Sequence, residues 1–156
     1  MNLKETFTPD EWENLVRLPY AVSMAVMMAA PNLMGIWGET KAMLQQPAGL
    51  AAASGASLVG LISAETQARA RDLAEEQQVA WKSDQAGYRP MVVAASRAAA
   101  TALAKVSPDE ALAYKRWVLA IGTKVAEASK EQGAAVSDPE RAALAEVSGA
   151  LGISEP

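Results

Sequence analysis

The chain contains neither cysteine nor histidine, and these two absences exclude more functions than its motifs support. Without cysteine there is no disulfide framework, no thiol nucleophile and no zinc site built from thiolates. Without histidine the commonest general base and the commonest transition-metal ligand are missing. We therefore expect no cofactor. An enzyme is the less expected class, although chemistry by lysine, tyrosine or carboxylate groups stays open.

Aromatic residues are also scarce, at 5% of the 156 residues, whereas hydrophobic residues make up 51%. Much of the apolar total is alanine, which packs helices closely but buries little area per residue. This composition predicts one domain, residues 1–156, with a core of helices packed through short side chains.

The charge balance and the first residues bear on partners and location. A net charge of −4 and a pI near 4.9 argue against nucleic-acid binding, which needs a clustered basic face. The chain begins without the basic and apolar stretches of a signal peptide. We therefore expect a cytoplasmic protein with no nucleic-acid partner.

Three segments carry the pattern of a helical capping box, with Ser or Thr three residues before Glu. They are Thr8-Pro9-Asp10-Glu11, Ser107-Pro108-Asp109-Glu110 and Ser137-Asp138-Pro139-Glu140. The hydroxyl can accept from the third helical amide, and the Glu can reach back to the first residue's amide. Each segment therefore predicts the start of a helix.

Hydrophobic periodicity and these boxes predict an all-α bundle of about six helices with no sheet. The predicted helices span roughly residues 9–30 with a kink at Pro19, 36–45, 58–82, 90–105, 108–132 and 138–151. Pro90 is expected to open its helix, with residues 83–89 as a connecting loop. Because residues 91–105 are nearly all Val and Ala, that helix is predicted to be the central one.

Residues 18–64 are unusual because Glu39 and Lys41 are their only charges. Residues 18–38 are uncharged and about long enough to span a bilayer, which takes ~20 apolar residues. Pro19 and Pro31 would interrupt such a span. A buried core helix is the preferred interpretation, contact with another subunit the second, and membrane contact the one we do not expect.

This apolar part supplies the candidate contact residues, because methionine and tryptophan side chains suit adaptable binding surfaces. The candidates for ligand or partner contact are Met24, Met27, Met28, Met34, Trp37, Glu39 and Lys41. Core filling is the alternative for the methionines, and an exposed short helix the alternative for the two charged residues.

These features suggest two hypotheses for the function. The preferred hypothesis is a non-catalytic bundle that acts by binding or by self-association through its apolar N-terminal part, as a homo-oligomer. The alternative is a small-molecule-binding protein, or an enzyme independent of histidine, with an apolar pocket between helices. That pocket is predicted to include Met24, Met28 and Trp37, with Tyr88 or Trp117 beside them.

Carboxylates on one helix face offer the remaining possibility of a metal site. Asp72 and Glu76 lie four residues apart, but an acidic face in solvent explains them better. No nucleophile motif and no phosphate-binding loop accompanies them. We therefore expect no metal.

Overall fold

Six α-helices and one 3-10 turn make up the part of the chain that the structure, a computed structural model, describes: residues 3–29, 56–130 and 138–153, without the side chains of 127–130. After the turn Leu3–Thr6, the helices are α1 Pro9–Ala29, α2 Ser57–Ala68, α3 Ala70–Ser83, α4 Gln85–Leu103, α5 Pro108–Lys130 and α6 Asp138–Leu151. These described ranges contain no strand, and the predicted all-α bundle is confirmed. The helix predicted over residues 36–45 lies outside them.

Helix α1 is the centre of the bundle and packs against each of the other five helices described above. Its residues 18–27 are all buried, so this part of the helix contacts neighbours on every side. A charged side chain here would have to leave water at a large cost, which accounts for the lack of charge. The interpretation of residues 18–27 as a core helix is confirmed. Among the helices that the structure describes, none is long and apolar enough to cross a membrane.

Helix α4, predicted to be central, lies at the surface instead. Val92 and Leu103 belong to its buried face, whereas Met91, Ala94 and Ala98 are exposed. The prediction was wrong because an alanine side chain is small enough to stay in water at little cost. A run of alanine therefore says little about burial.

Pro19 lies inside α1 and does not divide it. Because proline has no N–H, the carbonyl of Leu15, four residues earlier, loses its hydrogen bond within the helix. The Tyr114 hydroxyl on α5 donates to that carbonyl at 2.7 Å. A neighbouring helix thus compensates for the interruption that the sequence predicts.

The capping boxes mark helix starts as predicted, but they differ in detail. Around Thr8 the box is complete, because the Thr8 N–H donates to the Glu11 carboxylate at 2.8 Å and the Glu11 N–H donates to the Thr8 hydroxyl at 3.1 Å. In the second box the Glu110 N–H donates to the Ser107 hydroxyl at 3.3 Å. Ser137 of the third box lies outside the described residues, although α6 begins where that box predicts.

The carboxylate of Glu110 caps a different helix from its own. It accepts from the Leu58 N–H at 2.9 Å and from the Ser57 N–H at 3.3 Å. Helix α2 begins after Ala56, which has no side chain that could cap it. The Glu of one predicted capping box therefore joins α5 to the start of α2.

Residues 58–82 form two helices rather than the one predicted. Arg69, between α2 and α3, has φ −116° and ψ 15°, which lies outside the helical region. Its guanidinium donates to both carboxylate oxygens of Glu13 on α1. Neither glycine nor proline lies at the break, so the sequence has no local signal that would have located it.

Helix α4 begins at Gln85 rather than at Pro90, because the Asp84 carboxylate accepts from the Gly87 N–H at 2.9 Å and caps the helix. Most of the loop predicted over residues 83–89 is therefore helical. Pro90 lies in the second turn and removes one hydrogen bond, to the carbonyl of the exposed Ala86, which water can replace.

Candidate functional site

A half-open groove of about 330 Å³ lies between α1, α3 and α4. Its size falls at the lower end of the roughly 300–1,000 Å³ that small-molecule sites occupy. Its lining comes from Asn14, Arg17, Leu18 and Ala21 of α1, Glu76, Gln77 and Ala80 of α3, and Met91, Val92 and Ala95 of α4. The groove therefore runs along one side of the central helix.

The apolar part of the groove exists because three alanines face one another across the helices. Ala21, Ala80 and Ala95 have no atoms beyond Cβ, so the space that larger side chains would fill stays open. Leu18 is fully buried and contributes to the apolar wall, and Met91 is 45% exposed. Three helices in contact thus leave an apolar surface that the described residues do not cover.

Gln77 is the polar residue of the groove that is most deeply buried, with 7% of its surface exposed. The Tyr88 hydroxyl donates to its amide oxygen. Burial raises the pKa of Tyr88, so that hydroxyl stays protonated as a donor. Among the described residues, none accepts a hydrogen bond from the Gln77 amide nitrogen, and that nitrogen is not sealed from solvent.

Charged side chains at the mouth of the groove form pairs. The Arg17 Nε lies 3.0 Å from Glu76 Oε2 and 3.5 Å from Glu13 Oε1. Glu13 in turn accepts from Arg69, and these hydrogen bonds lower the pKa of the Glu13 carboxyl. The Asn14 side-chain amide donates to the Ala95 carbonyl at 3.0 Å and joins α1 to α4. Two positive and two negative groups thus balance each other.

A second groove, of about 400 Å³, lies between α4 and α6. Arg89 and Arg97 line it, and Arg89 Nε lies 2.9 Å from Glu146 Oε2. Its walls are more polar and more open than those of the first groove. Within the described ranges, no group of three or more acidic side chains lies close enough to hold a metal ion.

The residues predicted from the sequence lie elsewhere. Met24 and Met27 are each 4% exposed and belong to the core, and Met28 is half-buried against it. Met34, Trp37, Glu39 and Lys41 lie outside the described residues. None of these three candidate methionines lines the groove, and contact between the seven candidate residues and a ligand or partner stays a prediction.

The other two residues considered for a pocket have structural roles. Trp117 is 3% exposed and its ring centroid lies 5.9 Å from that of Tyr114. Tyr88 does not line the groove itself, but its hydroxyl contacts two residues that do, the Gln77 amide oxygen and, at 3.5 Å, the Ala21 carbonyl. Sequence reasoning missed Gln77, although it had a signal, because Gln77 follows Leu73 by four residues and shares the buried face of α3. A polar residue on an apolar helix face marks a position that needs a hydrogen-bond partner.

Comparison with models of known protein families, with curated proteins and with solved structures finds no significant match to this chain. A function therefore has to be inferred from the residues of this chain.

Proposed function

We propose that this protein acts by binding, without chemistry of its own, and that the groove between α1, α3 and α4 is a binding site for a small molecule. The observation that carries the proposal is an apolar groove of about 330 Å³ with few polar groups, formed where three helices already pack together. Small-molecule sites are concave, mostly apolar and largely preformed. This proposal keeps the predicted binding role and places it beside the central helix.

The pKa shifts support binding over acid–base chemistry. Hydrogen bonds from basic side chains lower the carboxyl pKa values, and burial raises those of the tyrosines. The lowered values belong to Glu11 and Glu13, and the raised values to Tyr20, Tyr88 and Tyr114. General acids and bases work best with a pKa near the working pH, and each of these shifts moves away from neutrality.

Ethylbenzene, a small apolar molecule, tests the groove. Met91 is exposed in it, so a titration followed by the Met91 methyl resonance should show a saturable shift from the aromatic ring. The change Ala80→Trp should fill the groove and abolish that shift. The change Ala145→Trp, on the solvent-exposed side of α6, is the matched control and should bind like the wild type. Equal binding by all three proteins, or by none, contradicts the proposal.

Self-association is the second candidate, and α2 favours it. Leu61 is 43% exposed, with Gly60 and Ala64 exposed beside it, and the neighbouring sequence has few charges. An apolar helix face of this kind suits contact with a second copy of the chain. Light scattering should then report an oligomer that Leu61→Lys dissociates, whereas Val79→Lys, at another exposed apolar residue, does not. A monomer at high micromolar concentration contradicts self-association.

A cytoplasmic location and the absence of a nucleic-acid partner are part of this proposal. The net charge of −4 supports the second point, because phosphate binding needs clustered positive charge. Cell fractionation tests the first, and binding measurements at low salt with duplex DNA and with RNA test the second.

A further inference from the structure

Within the part of the chain that the structure describes, the side-chain amide of Gln77 forms a hydrogen bond through its oxygen but not through its nitrogen. Its oxygen accepts from Tyr88, whereas its nitrogen has two hydrogens and no acceptor among the described residues. Water can pair with this nitrogen in the free protein, but a bound molecule that displaces the water without offering an acceptor would leave the nitrogen buried and unpaired, which costs free energy. Because this nitrogen is not sealed and its side chain lines the groove, a bound molecule can supply that acceptor.

The charges at the mouth decide the charge of the ligand. A carboxylate that approached Arg17 would also approach Glu76 and Glu13, whose oxygens lie 3.0 and 3.5 Å from the Arg17 Nε. A cation that approached Glu76 would meet Arg17. The second pair, Glu13 with Arg69, is likewise balanced. No net charge is left to attract an ion, so a neutral molecule fits this mouth best.

We propose that the groove takes a small neutral molecule with an apolar body and one carbonyl-type acceptor, to which the Gln77 amide nitrogen donates. The apolar body packs against Ala80, Met91 and Ala95, the apolar lining residues that are not fully buried, and the acceptor points to Gln77. This inference rests on the proposed binding function and names the class of ligand for the same groove. Gln77 determines specificity, because an apolar molecule without the acceptor leaves the amide nitrogen unpaired.

A matched pair of probes tests the ligand class. Acetophenone and ethylbenzene have the same carbon skeleton, and only acetophenone has a carbonyl. Their dissociation constants are measured through the Met91 methyl resonance in the wild type and in Gln77→Met, which keeps the side-chain length and removes the donor. The ratio of the two constants is compared between proteins, so the different hydration of the probes cancels. Benzoate serves as the charged probe.

In Gln77→Met we expect acetophenone to lose about threefold to tenfold in affinity relative to ethylbenzene, the range of a single hydrogen bond. Gln78→Met, one residue along α3 and outside the groove, should leave the ratio unchanged. Gln77→Glu keeps an acceptor for Tyr88 and lacks the donor, so it should also weaken acetophenone binding. If Gln77→Met does not fold, Gln77→Glu still tests whether the amide nitrogen donates to the ligand. Benzoate should bind more weakly than acetophenone.

The outcomes separate this inference from the proposed function. If ethylbenzene binds and Gln77→Met leaves the ratio unchanged, or if benzoate binds more tightly than acetophenone, the ligand class is wrong and the groove stands. If neither ethylbenzene nor acetophenone shifts the Met91 resonance, the groove binds nothing of this kind and both proposals fail.

Discussion

The hydroxyl of Tyr114 donates to the carbonyl of Leu15 at 2.7 Å and replaces the hydrogen bond that Pro19 cannot supply. Tyr114 is fully buried, and burial raises its pKa, so the hydroxyl is held as a donor. The relationship lets the central helix contain a proline among completely buried residues. Three residues from two helices therefore form one structural unit.

Tyr114→Phe should lower the free energy of unfolding by about 1–2 kcal/mol, because it leaves the buried Leu15 carbonyl without a donor. Chemical denaturation measures the change. In a Pro19→Ala background the alanine N–H can supply the missing hydrogen bond, so Tyr114→Phe should then cost less. Equal costs in the two backgrounds would show that the hydroxyl does not compensate for Pro19.

Gly122 of α5 lies close to side chains of α1 and α6. A Cβ at this position would lie 2.8 Å from Leu144 Cδ2 and 3.1 Å from Val22 Cγ1. Gly122→Ala should therefore destabilise the protein by about 1–2 kcal/mol, despite the better helix propensity of alanine. Gly149→Ala, where nothing lies within 4 Å, should stabilise it by roughly 0.5–1 kcal/mol. Thermal or chemical unfolding that gives both changes the same sign contradicts the packing described for α5.

The cap that Glu110 provides for α2 predicts a local effect as well as a global one. Glu110→Ala should cost about 1–2 kcal/mol and speed hydrogen exchange at the Leu58 amide, because that N–H loses an acceptor at 2.9 Å. Glu110→Gln keeps an oxygen acceptor and should cost less. Hydrogen exchange at Leu58 that neither change affects would exclude the cap.

The Glu13–Arg69 pair predicts how stability depends on pH. The pKa of Glu13 is lowered from its ordinary 4.5 in the folded state, so the stabilisation is complete above about pH 4.5 and is lost as the pH falls through the lower folded value. The side chains are 30% and 32% exposed, so solvent screening limits the effect to about 0.5–1 kcal/mol. Glu13→Gln should therefore reduce stability at pH 7 and flatten the acid limb of a stability profile. An unchanged acid limb contradicts the assignment.

Local signals in the sequence predict most of the fold. The boxes at Thr8 and Ser107 locate helix starts because capping depends on residues three apart. Residues 18–27 could be assigned to the core because they include no charged side chain that would have to stay in water. The break at Arg69 could not be predicted in this way, since it coincides with a contact to Glu13 on another helix. Partners distant in sequence decide such positions.

The groove was harder to predict than the helices. Methionines suggested contact residues, yet Met24 and Met27 fill the core, because their length suits gaps around a buried helix. The groove instead forms because three alanines have no side-chain atoms beyond Cβ to fill it. Its buried polar contact is Gln77, which lies on an apolar helix face. A groove formed by small side chains on three different helices can be recognised only when the packing of those helices is known.

Intermolecular nuclear Overhauser effects between ethylbenzene and the methyl groups of the protein test the central claim most directly. Binding in the groove predicts cross-peaks from the ligand's aromatic protons to the methyl groups of Met91 and Ala95, which line it and are not fully buried. These cross-peaks should vanish in Ala80→Trp. Cross-peaks confined to methyl groups outside the groove, such as Val93 in the second groove, would contradict the account.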